Sequence, residues 1–187
     1  MVGRGSTSGR FGVLGVESAD PVLSLVSALG LGQVAGTALV IDLCRDLTLR
    51  SGRTLADISA DGPSIGELSP GRSGVALLSA GSLGVSESPP VISALATTWP
   101  AVVVRCPPGV WDGPTVPVRA LLPGLLQPVD ETPAVWQPLL PGSRPSGPGP
   151  LLPVLRGGLV RRMLSGRAAG RARWVRAWAP VWQMPWA

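Results

Sequence analysis

Four short apolar runs, Phe11–Val16, Thr37–Leu43, Val75–Leu78 and Ala101–Val104, alternate with segments of helical character. Runs of that length are too short for buried helices. They suit strands covered on both faces of a parallel sheet. Between the first two, Asp20-Pro21 offers an N-cap followed by proline at the first helical position. The spacing predicts a helix over Pro21–Leu29 with Val22, Leu25, Val26 and Leu29 on one face, closed by Gly30 or Gly32. Thr54–Ile58 reads as a short helical turn before the Gly62-Pro63 break, and Ser88-Pro89-Pro90 opens a helix that Trp99-Pro100 ends. A fifth strand over Val116–Leu122 is expected at a sheet edge, because Pro117 cannot donate to a ladder. The alternation predicts an α/β fold, a mostly parallel sheet with flanking helices of Rossmann-like type. Ligands of such sheets bind at the carboxyl ends of the strands, which singles out Glu17–Asp20, Asp42–Asp46, Ser79–Gly81 and Arg105–Gly109.

The 187 residues divide by composition. Residues 1–10 read as a flexible N-terminus and 11–125 as the α/β domain. Residues 126–150 read as a Pro/Gly-rich linker, and 151–187 as a basic tail rich in arginine and tryptophan. Most of the 21 prolines fall between Pro107 and Pro153, where extended or irregular chain is expected. Charge follows the same division. Up to Glu131 there are eight arginines and eleven acids, a net of −3; from Thr132 there are eight arginines and no acid, a net of +8. A mildly acidic body with a basic extension is suited to an anionic partner.

Several function classes drop out. Cys44 and Cys106 form no CxxC pair, and a chain without histidine cannot assemble an ordinary zinc site, so no metal or other cofactor is expected. Two reduced cysteines at strand ends fit a cytoplasmic protein. Met1–Gly12 is polar and lacks the apolar stretch of a signal sequence. Pro21–Ile41 carries no charge over 21 residues, long enough to span a bilayer. Its central Gly30-Leu31-Gly32 and the strand-like Thr37–Ile41 argue instead for a helix followed by a buried strand.

The order of elements and four local motifs resemble the MinD/ParA family of deviant Walker ATPases. Val40-Ile41-Asp42-Leu43-Cys44-Arg45-Asp46 is similar to that family's strand ending in an Asp-x-Asp pair. Thr54–Ile58 resembles the helix that follows, and Gly74–Gly81 the next strand and small-residue turn. Trp99–Gly109 is similar to the strand that ends in Asp-x-Pro-Pro. The likeness covers Phe11 to Gly109 and implies a P-loop-derived core, yet the functional residues are replaced. The family's phosphate loop needs a lysine, and this chain has none. A GC-rich coding sequence accounts for arginine replacing lysine on a surface, but not for the loss of a required catalytic lysine. Glu17 and Asp20 stand where phosphate oxygens would sit, and like charges at about 4 Å repel by roughly 4 kcal/mol at an effective dielectric near 20. Arg105 occupies the position of the metal-side aspartate, and Cys44 that of the second acid of the pair. Asp42 remains, and is expected beside Arg45. The expectation is a pseudo-ATPase with no catalytic residue and no bound cofactor. It would be a scaffold or regulator acting through a protein partner, with a homodimer compatible with the same likeness. By the resemblance, its setting would be cell division or pilus and secretion positioning.

The tail allows three readings. Leu155, Leu159, Val160, Met163 and Leu164 fit one helical face, and Trp174, Trp178, Trp182 and Trp186 recur every four residues, with Pro180 and Pro185 preventing one helix through them. Arginine with tryptophan suits an anionic membrane surface at the inner face of the membrane, or a protein partner, through Arg161, Arg162, Arg173, Trp174, Arg176, Trp178 and Trp182. The family's C-terminal membrane-targeting helix points the same way. The alternative is a basic-tailed nucleic-acid-binding protein, with bases stacking on the indoles. In the third reading the tryptophans pack back on the protein's own sheet.

Overall fold

The computed structural model describes residues 11–46, 52–64, 74–124 and 131–186. The expected flexible N-terminus (residues 1–10), the start of the predicted linker (126–130) and parts of the polar 50–72 segment lie outside them. Six strands, β1 (Gly12–Glu17), β2 (Thr37–Asp42), β3 (Gly74–Ser79), β4 (Ala101–Arg105), β5 (Thr115–Leu121) and β6 (Val135–Pro138), form one sheet in the order β3-β2-β4-β1-β5-β6. Every pairing is parallel, so the fold is an α/β Rossmann-like arrangement. The helices are α1 (Pro21–Ala35), α2 (Leu55–Asp61), α3 (Pro89–Ala96), α4 (Gly157–Leu164) and α5 (Arg173–Arg176), with 3₁₀ turns at Val85–Glu87 and Ala179–Gln183. α2, α3 and the first 3₁₀ turn cover one face of β2 and β4, where Leu39, Ile41, Val102 and Val104 meet Leu55, Ile58, Ile92 and Leu95.

The other face is covered twice. α1 lies on Leu14, Val16, Val40 and Val103, and the chain from Leu152 to Val181 lies on α1. That explains why α1 is apolar all round and free of charge: it has sheet beneath it and tail above it. No helix among the described residues is long and apolar enough to cross a membrane. α1 also runs past Gly30 and Gly32, the glycines expected to end it, and stops at Gly36, which takes φ 81°. Both glycines serve close packing instead. A Cβ on Gly30 would meet the Trp174 ring at 2.5 Å, and one on Gly32 would meet Val40 at 3.2 Å.

Two further expectations are corrected. β5 is not an edge strand, because β6 lies beyond it. Pro117 is accommodated where the ladder to β1 ends, at Glu17, and the ladder to β6 begins, at Val118. β6 itself falls inside the stretch read as a linker. Its outer edge is covered by extended chain, with Trp136 N–H donating to the Pro150 carbonyl at 2.8 Å and Leu152 N–H to the Trp136 carbonyl at 2.9 Å.

Candidate functional site

In this strand order the connections leaving β2 and β4 diverge, and so do those leaving β1 and β5. Such divergence leaves crevices beyond the strand ends, where open α/β sheets bind ligands. The two crevices are built differently.

The first is filled. β2 and β4 run in register so that Asp42 and Arg105, their last residues, lie side by side. The Arg105 side chain is fully buried. Its Nη1 donates to Asp42 Oδ1 at 2.9 Å, its Nη2 lies 2.7 Å from Asp46 Oδ1, and the same Nη2 donates to the Pro21 carbonyl at 3.0 Å. Nε donates to Ser24 Oγ at 3.1 Å. One guanidinium therefore ties the ends of β2 and β4 to the first turn of α1, a geometry its rigid fork permits and a lysine ammonium does not. Burial lifts the Asp42 carboxyl above its ordinary range, against the pull of Arg105 and of Cys44 N–H at 3.0 Å. For Arg105 burial acts to lower the pKa, and the surrounding Asp42 and Asp46 outweigh it, so the guanidinium is held charged. Arg45, expected beside Asp42, turns away and donates to the Ser82 and Leu83 carbonyls, both at 2.8 Å.

The second crevice is an open cleft of about 630 Å³ between β1 and β5, lined by Glu17, Ser18, Asp20, Pro21, Pro108 and Arg119 among others. Its acids are committed to the backbone. Asp20 caps α1 by accepting from Leu23 N–H at 2.7 Å, and Glu17 accepts from Gly109 N–H at 2.9 Å. One of the α1 donors that an incoming phosphate would use, Leu23 N–H, is thus already bound to a carboxylate. Arg119 stacks over the Trp136 ring at 5.6 Å.

The cysteines lie just beyond the ends of β2 and β4, close to where they were expected, and both are free. Burial pushes the Cys44 thiol up to about 11 and the Cys106 thiol up to about 12, which suits inert structural thiols. No group of His, Cys, Asp or Glu able to hold a metal ion occurs among the described residues.

The residues expected to contact a membrane or partner separate into two sets. Arg161, Arg162, Arg173 and Arg176 are exposed on α4 and α5. Trp174 and Trp178 are 3% and 0% exposed and belong to the core. Trp174 donates to Gln137 Oε1 at 2.6 Å, and the half-buried Trp182 donates to the Leu31 carbonyl at 3.1 Å. In this structure the two buried indoles offer no face to lipid or to bases. They follow the third reading of the tail, packing on α1 and on β6. The Arg105 cluster itself was only half visible in the sequence: the residues could be named, but their contact depends on β2 and β4 being neighbours.

Comparison with protein-family models, with curated proteins and with solved structures finds no match to this chain. The likeness to MinD/ParA proteins therefore rests on the sequence motifs.

Proposed function

We propose that this chain is a non-catalytic, MinD/ParA-like scaffold or regulator that works by binding a protein partner. The observation that carries the reading is the Arg105 cluster. The crevice beyond β2 and β4 is filled by a guanidinium bonded to Asp42, Asp46, Ser24 and Pro21, so a positive charge stands beside Asp42 where a metal–phosphate complex would have to sit. The capped start of α1 supports the same reading, since Asp20 holds one of the donors a phosphate would use. By the resemblance, the setting would be division-site or pilus positioning at the inner face of the membrane.

Phosphate release from ATP with magnesium tests the proposal. The purified chain is expected to give no release above buffer. Turnover at about 1 s⁻¹ or faster that disappears in a folded Asp42→Asn variant would overturn it.

A further inference from the structure

The layer that covers α1 is strongly one-signed on its outer surface. The seven arginines from Arg156 to Arg176 are all exposed. No acid occurs from Thr132 onward to balance them. None of their side chains makes an ion pair or hydrogen bond among the described residues.

Two of these arginines converge on one cavity. Arg156, immediately before α4, and Arg173, at the start of α5, line a depression of about 480 Å³ together with Pro153, Val154, Leu159 and Trp174. That volume lies within the range of ligand pockets. Gly157 and Gly158, which open α4 next to Arg156, have open space where their side chains would be. The lining combines unpaired positive charge with apolar side chains, and both need a counterpart. A single nucleic-acid strand would neutralise the charge and stack its bases on aromatic faces, but the cavity's one aromatic residue, Trp174, is only 3% exposed. A bilayer surface is broad, and the aromatic side chains that would insert into it are buried under α5. A peptide that carries carboxylates around an apolar side chain supplies both counterparts, and the guanidinium fork matches a carboxylate in two-point geometry.

We propose that the cavity between α4 and α5 docks an acidic segment of a partner protein. An apolar anchor of that segment rests against Val154 and Leu159, and its carboxylates meet Arg156 and Arg173. The proposal rests on the reading of the chain as a binding scaffold and names the partner's chemistry. Its test involves no nucleotide, so the two can fail separately.

The experiment is fluorescence anisotropy of the full chain with a labelled short peptide of alternating glutamate and leucine. Controls are a glutamate–glycine peptide of equal charge, a labelled DNA duplex and phosphatidylglycerol vesicles. Two double variants are compared, Arg156→Glu with Arg173→Glu at the cavity, and Arg161→Glu with Arg162→Glu on α4 away from it. All four side chains are exposed, and circular dichroism checks that each variant is folded. The glutamate–leucine peptide is expected to bind more tightly than the glycine control. The cavity variant should weaken it at least about tenfold, against less than about threefold for the variant on α4. Equal loss in the two variants, or equal affinity for the two peptides, would show diffuse charge attraction and overturn the proposal. Binding of the duplex or the vesicles without binding of the peptide would overturn it as well.

Discussion

Arg105 and Asp42 each lie in surroundings where a lone charge is costly, with side chains 0% and 2% exposed. Removing one member of such a pair leaves the other buried without a counter-charge, at a cost of about 3–5 kcal/mol. Arg105→Ala is therefore expected to lower the unfolding free energy by that amount, measured by urea denaturation. Arg105→Lys should fall between the two, because an ammonium cannot reach Asp42, Asp46 and the first turn of α1 from one position. Asp57 has the opposite character, being exposed. Backbone and side-chain bonds from Thr54 hold its carboxyl below its ordinary value of 3.8. Its contribution to folding is complete above that value and is lost as pH falls through the lower folded-state value. Asp57→Asn should thus be less stable than the parent at neutral pH, with the difference closing in acid, when unfolding is followed across pH.

At the scale of elements, α1 and the tail are one packing unit. Trp178 is fully buried in the core it shares with α1, 5.5 Å from the Trp174 ring. Trp178→Ala is expected to cost about 3–5 kcal/mol, read as a lower midpoint in thermal or urea unfolding. An unchanged midpoint would mean that the tail is not a structural layer. Much of this organisation was legible in the sequence. β1, β2 and β4 announce themselves because parallel strands buried on both faces become unbroken apolar runs, and β3, at the sheet edge and buried only at Leu78, shows a similar run. α1 was misjudged at its end because Gly30 and Gly32 look like stop signals until the approaching Trp174 and Val40 side chains are known. β6 was invisible because its four residues follow Pro133 closely and end on Pro138, so they are specified by neighbours rather than by local preference. The tail's tryptophans posed the same difficulty: an arginine–tryptophan pattern is compatible with an outer surface or an inner one, and only long-range packing decides.

The whole molecule places its chemistry-bearing residues at one end of the sheet and its positive charge on the layer over α1. At the sheet end, the crevice beyond β2 and β4 is closed by the Arg105 cluster, while the cleft beside β1 presents carboxylates already bound to backbone donors. Both arrangements favour structure over phosphate binding. The direct measurement is an equilibrium titration of the full chain with a fluorescent ATP analogue in the presence of magnesium. No saturable signal is expected. Saturable binding that unlabelled ATP displaces, and that persists in the Arg105→Lys variant, would contradict that expectation.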